Sequence, residues 1–167
     1  RLGFIYDICG IYFLTRVFCQ SLDDIQLLCS FIAILLVPVA IEMVYEKAAT
    51  YNLFSVLGGV SEIPYIRQGK VRANGPFAHA ILAGTVGAVC IPLIIGVWQQ
   101  KRKMALLGLA SCMAMMMASS SSGPILSGMA GIGALYLWRY RHRMKLVRWL
   151  AVFGYIFLDL VMKDPAY

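Results

Sequence analysis

Residues 67–87, RQGKVRANGPFAHAILAGTVG, set Arg67, Lys70, Arg72 and His79 directly ahead of a long apolar run. Arginine presents paired, coplanar N–H donors that match phosphate oxygens, and lysine adds a mobile point charge. A helix start adds unpaired backbone N–H groups and the positive end of a peptide dipole. A cationic loop feeding a helix is therefore equipped for an anion, and a phosphate-bearing partner is what this spacing predicts. Arg72, Arg67 and Lys70 are the candidate ligands. Imidazole exchanges protons near neutral pH, which makes His79 a candidate general acid or base; an interfacial histidine bonded to a carbonyl is the competing reading.

Glu62, upstream in the same loop, is the second candidate base. Glu42 and Glu46 fall near the end of an apolar run, where a carboxylate is costly and often functional; for each of the three glutamates a salt bridge to Arg67 or Arg72 is the expected alternative to such a role. The run Ser119–Ser122 followed by Gly123-Pro124 predicts a turn rich in hydroxyls and backbone donors. Ser121, Ser122 and Gly123 are its candidate contacts to a sugar or phosphate, with a solvated turn as the alternative.

Several chemistries are excluded by what the chain lacks. Its five cysteines, Cys9, Cys19, Cys29, Cys90 and Cys112, form no C-x-x-C pair and have no histidine at ligand spacing, so neither a metal nor a disulfide is expected. No Gly-x-Ser-x-Gly elbow and no phosphate-cradling P-loop occurs. The formal charge of +7 comes from basic residues at the ends of apolar runs, without the interleaved aromatic residues of a base-stacking surface, and nucleic acid is not an expected partner.

The elements that must hold these residues follow from composition. Sixty percent of the chain is hydrophobic, its mean hydropathy is +0.76, and 14% of its residues are charged. A soluble domain carries about 25% charge. The reading is an all-α polytopic membrane protein, a single transmembrane domain over 1–167, with about six spans at 2–18, 25–45, 77–98, 104–118, 125–138 and 146–162. The fourth and fifth are short, and a tight or re-entrant hairpin is expected there. Arg1 is not an initiator methionine and no leader pattern precedes the first apolar run, so a piece of a longer chain is expected.

Two connectors are strongly basic, Gln99–Lys103 and Arg139–Lys145. Two spans separate them, so both lie on one face, and the positive-inside rule makes that face cytoplasmic; topology and contact with anionic membrane lipids account for their charge. Residues 46–76 and the serine turn then fall outside. Arg67, Lys70 and Arg72 sit there against the charge bias, either because a ligand uses them or as a solvated loop. The apolar residues Tyr51, Leu53, Phe54, Val56 and Leu57 argue for an ordered lid or ledge, lying along the membrane interface or folded over the bundle. Asn74-Gly75-Pro76 reads as the start of the third helix, placing His79 about one turn inside it.

The ordered set of Glu46, Asn52–Gly59 (NLFSVLGG), Arg67–His79 with its Arg-x-x-Gly-x-Phe-x-His core, Gly84 and Ser119–Pro124 resembles bacterial O-antigen polymerase/ligase-like membrane proteins. The resemblance implies a GT-C-like helical bundle in the bacterial inner membrane, multi-pass, with a periplasmic active face and further spans outside this chain. It implies a metal-independent membrane glycosyltransferase without a cofactor. Such an enzyme transfers saccharide from an undecaprenyl-diphosphate-linked glycan to the hydroxyl of an acceptor glycan or lipid, in O-antigen or exopolysaccharide biosynthesis. Arg72 and Arg67 would hold the diphosphate, and His79, where ligases tend to carry asparagine, suggests an exopolysaccharide-polymerase-like branch. A transporter or flippase of anionic glycolipids and a non-catalytic assembly subunit are the other functions this charge pattern allows.

Overall fold

The computed structural model describes residues 2–161. Six α-helices occur among them: α1 (Leu2–Phe18), α2 (Leu22–Ala49), α3 (Ala80–Gly96), α4 (Arg102–Ala118), α5 (Ser122–Leu137) and α6 (Met144–Val161). Each predicted apolar run coincides with one of them. Between α2 and α3 lie a 3-10 helix, Leu53–Leu57, and a two-stranded antiparallel sheet of β1 (Tyr65–Arg67) and β2 (Lys70–Arg72). A second 3-10 helix, Trp138–Arg143, precedes α6. The predominantly helical character is as expected, and the hairpin is an addition to it.

Length corrects the expectation of about six full spans. Only α2, at 28 residues, is long and apolar enough among the described residues to cross a bilayer by length and composition. Helices α3, α4 and α5, whose two ends are both described, have 16–17 residues. At a rise of about 1.5 Å per residue such helices measure about 25 Å against a hydrocarbon core of about 30 Å. Helix α3 ends where the Val97 N–H bonds Ile94 O (3.1 Å), and α4 where the Ser119 N–H bonds Met115 O (3.0 Å). The start of α2 shows the same economy at the opposite end: Ser21 Oγ accepts the Asp24 N–H (3.2 Å) and Asp24 Oδ2 accepts the Ser21 N–H (2.9 Å) in a capping box.

The chain divides into two compact units, one reaching to Gly131 and one beginning at Ile132. In the first, α4 lies between α2 and α3 and contacts both. Met43, Ile94, Cys112, Met115 and Met116 fill the core, while large apolar side chains on the outer faces are exposed, along α1 above all. Gly108 permits the close approach: a Cβ there would stand 2.7 Å from Ala33 Cβ and 2.9 Å from Ile94 Cδ1. The C-terminal ends of α2 and α4, the start of α3 and the start of α5 meet at one end, where Lys47 bonds Met117 and Gly84 approaches Ser119. The connector at 97–101 lies at the other end. In the second unit the Arg141 guanidinium stands 5.7 Å from the Trp138 ring centroid, and the Trp149 and Phe153 rings are 5.8 Å apart.

The expected helix start at Asn74-Gly75-Pro76 is displaced. Helix α3 begins at Ala80 with His79 as its N-cap residue. Asn74 instead closes a turn, its side chain donating to Phe77 O (2.7 Å), and Gly75 takes φ +54, a left-handed conformation outside the extended range of an N-cap. A buried carboxylate is responsible, as the site geometry shows.

Candidate functional site

The cationic loop folds into a hairpin whose register is Tyr65↔Arg72, Ile66↔Val71 and Arg67↔Lys70. Gln68 (φ +53) and Gly69 (φ +72) form the two-residue turn, both left-handed, which matches the twist of the paired strands. Side chains alternate across a strand and directly opposed residues share a face. Tyr65, Arg67, Lys70 and Arg72 therefore occupy one face, with Ile66 and Val71 on the other. Arg67 stands directly across from Lys70, an arrangement of like charges that destabilises the pair unless an anion joins it. Among the described residues no carboxylate lies within ion-pair distance of a lysine or arginine.

The hairpin docks on the turn between α4 and α5. Ala73 N–H donates to Ala118 O (3.2 Å), Arg72 Nε approaches Ser119 O (3.5 Å), and Ser120 Oγ donates to Val71 O (3.0 Å). From the end of α2, Lys47 Nζ donates to Met117 O (2.6 Å) and to Ser120 Oγ (3.0 Å). These contacts frame an open cleft of about 930 Å³. Lys47, Arg67, Lys70 and Arg72 line it together with Ser120, Ser121 and Ser122, and Val71, Met116, Met117 and Ile125 give it an apolar wall. Cations, hydroxyls and methyl groups thus face one space, which suits a phosphate group carried on an apolar molecule.

Under the hairpin sits a buried polar node. Glu46, wholly buried on α2, accepts the N–H of Asn74 (3.2 and 3.1 Å to its two oxygens) and of Gly75 (2.8 Å). Glu42 Oε1 accepts the Leu53 N–H (3.1 Å), and its Oε2 has no partner. Asn52, also wholly buried, donates through Nδ2 to Gly75 O (2.8 Å) and through its N–H to Glu62 O (2.9 Å). The expected salt bridges from Glu42 and Glu46 to Arg67 or Arg72 are therefore absent among the described residues. The turn at Asn74-Gly75 and the start of the 3-10 helix at Leu53 leave backbone donors against α2 that must find acceptors, and Glu46 and Glu42 respectively serve them. A Cβ at Gly75 would stand 2.9 Å from Met43 Cγ, so the close seating of this turn itself requires glycine.

The remaining candidates separate. His79 is exposed, makes no capping bond with its side chain, and shares a second hollow of about 330 Å³ with Tyr65, Arg72 and Asn74. Arg72 thus borders both hollows. Glu62 is exposed and lines neither. Ser121 and Ser122 line the large cleft, whereas Gly123, exposed in the first turn of α5, does not. One cleft residue carries no motif signal at all, Lys47 in an ordinary helical run, and nothing in the serine run singles out Ser120, which the structure marks by its bonds to Lys47 and Val71. Comparison of the chain with protein-family models, with curated proteins and with solved structures found no match. Fold and site define the class by architecture: a helical bundle with a cationic hairpin docked on a hydroxyl-rich interhelical turn.

Proposed function

We propose that this protein is a lipid-linked glycan polymerase or ligase, and that the hairpin cleft holds the diphosphate of its undecaprenyl-linked donor. The observation that carries the reading is the single cationic face of the hairpin, Arg67, Lys70 and Arg72, unpaired by carboxylates and opposed to Ser120–Ser122 across an open cleft. The motif resemblance over Arg67–His79 and Ser119–Pro124 supplies the substrate class. In the reaction an acceptor hydroxyl oxygen attacks the anomeric carbon, the carbon–oxygen bond to the diphosphate breaks, and the electron pair leaves with the phosphate. Guanidiniums fixed beside that phosphate stabilise the charge as it grows. The hydroxyl proton passes to a base; His79, on the hollow that shares Arg72, is the first candidate and Glu62 the second.

The protein is proposed to lie in the bacterial inner membrane as a multi-pass bundle, with the cleft end outward. Exposed apolar side chains along α1, such as Tyr6, Phe13 and Phe18, support this, as does the placement of Gln99–Lys103 at the end opposite the cleft. Helices somewhat shorter than the bilayer core are accommodated by local thinning and by terminal lysines and arginines reaching outward. The test is polymer length in cells carrying Arg72→Ala or His79→Ala in the full-length protein. Loss of polymer at normal expression is expected for Arg72→Ala, and normal polymer would refute the site.

A second reading is transport of the same anionic glycolipid. One observation favours it: among the described residues no carboxylate or imidazole lines the larger cleft, so that space binds without an adjacent base. Proteoliposomes separate the readings, since transport moves substrate between leaflets without forming a glycosidic bond.

A further inference from the structure

We infer that Lys47 is the positioning residue of the cleft: acting through Ser120, its ammonium group holds the cationic hairpin at working distance from the serine turn. The inference rests on the reading of the cleft as a phosphate site and assigns a role to a residue outside the hairpin and outside every motif.

Lys47 lies in the last turn of α2, distant in sequence from both parts of the cleft. Its Nζ nevertheless bridges them, bonding Met117 O at 2.6 Å and Ser120 Oγ at 3.0 Å. Bonds from a charged donor are shorter and stronger than neutral ones. Ser120 passes the connection on, since its hydroxyl proton goes to Val71 O at 3.0 Å, between Lys70 and Arg72 in β2. An unbroken path of hydrogen bonds therefore runs from α2 through the serine turn to the strand that carries two of the three cations.

Backbone geometry at Ser120 gives independent support. Its φ of +47 lies in the left-handed region, which is costly for a residue with a Cβ and persists where surrounding contacts impose it. The contacts here are the Lys47 and Val71 bonds on its hydroxyl. On the other flank the preceding residue, Glu46, grips Asn74 and Gly75 just beyond β2. Two adjacent residues of α2 thus clamp β2 from both sides, Glu46 through the chain that follows it and Lys47 through the turn it rests on.

The test uses the full chain in phosphatidylcholine nanodiscs, with hydrogen–deuterium exchange across residues 65–73 and calorimetric titration with inorganic diphosphate. Lys47→Met and Ser120→Ala are each expected to speed exchange in β2 and to weaken diphosphate binding by about tenfold, the worth of one charge-assisted hydrogen bond. The double variant is expected to be no weaker than the weaker single variant, and Lys47→Arg to restore β2 protection. Weaker binding with unchanged β2 exchange in Lys47→Met would make Lys47 an added ligand charge and overturn the positioning role, as would additive losses in the double variant. Arg72→Ala separates the two readings: undiminished diphosphate affinity there removes the phosphate reading, while the exchange data still decide what Lys47 holds.

Discussion

The Arg67–Arg72 hairpin and the Gln99–Lys103 connector each present three cations, at opposite ends of the α2–α4 bundle. In the hairpin the cations alternate with other residues, and strand pairing brings Arg67, Lys70 and Arg72 to one face. In the connector Lys101, Arg102 and Lys103 are consecutive at the start of α4, where successive side chains fan out by about 100° around the axis. They also face the positive end of the helix dipole, which opposes rather than assists them. The shallow hollow they border, about 440 Å³, has Met104 and glutamines beside it and no hydroxyl. Equal charge thus becomes a focused field in one place and a dispersed one in the other. A basic run that orients a protein in a membrane needs only net charge near the surface; a phosphate site needs convergence.

That contrast is most sharply broken by activity. Arg72→Ala is expected to lower the rate of the proposed glycan transfer by about 10²–10³-fold, the usual effect of losing one preorganised donor, whereas Arg102→Ala should leave it within a few-fold. Initial rates on a purified lipid-linked donor check both, and equal losses would erase the distinction between the two segments.

Stability gives the next largest effect. Glu46→Ala strips the acceptor from two buried N–H groups, those of Asn74 and Gly75, and should cost about 1–3 kcal/mol for each donor left unsatisfied. Denaturant unfolding in detergent measures it. Glu46→Gln, which keeps one oxygen acceptor, should lose less, and among the described residues the connector end offers no buried carboxylate of this kind.

Packing comes third. A Cβ at Gly84 would stand 2.5 Å from Ser119 Oγ and 2.7 Å from Pro124 Cγ, so Gly84→Val should push on the serine turn and cost about 1–3 kcal/mol as overpacking. Gly96, beside the connector, has nothing within 4 Å of that position, and Gly96→Ala should be neutral or slightly stabilising. Paired thermal melts decide whether the cleft end is the more tightly built.

The smallest expected effect lies in the hairpin turn. Gln68 adopts φ +53, and asparagine tolerates that region better, so Gln68→Asn should recover part of a cost of roughly 1–2 kcal/mol. Slower amide exchange in β1 and β2 would register it.

Much of the helical order is legible in the apolar runs, because a continuous hydrophobic segment of this length has few ways to satisfy its backbone other than a helix. Helix ends are less legible. Asn74-Gly75-Pro76 carries every local mark of a helix start, yet Glu46, remote in sequence, takes the Asn74 and Gly75 N–H groups and moves the start to Ala80. The hairpin is faint in sequence because Gln68-Gly69 lacks the asparagine or aspartate that usually marks such a turn, and because each strand is only three residues long. Among the residues that line the cleft, Arg67, Lys70, Arg72, Ser121 and Ser122 stand out in the sequence by charge and hydroxyl density. Lys47 does not, since a lysine near a helix end is ordinary until its partners on another helix are known.

By itself the sequence determines that this chain is dominated by apolar helices, that most of its basic residues gather near their ends, and that one connector, 67–72, carries three cations. Composition and periodicity suffice for that, being properties of neighbours along the chain. The tertiary structure alone decides that three of those cations share a face, that the serine turn lies across from them, that Glu42 and Glu46 serve backbone donors instead of arginines, and that Lys47 joins the two sides. Each of those outcomes is a competition among groups far apart in sequence for the same hydrogen-bond partners, and only the packed chain settles which of them meet.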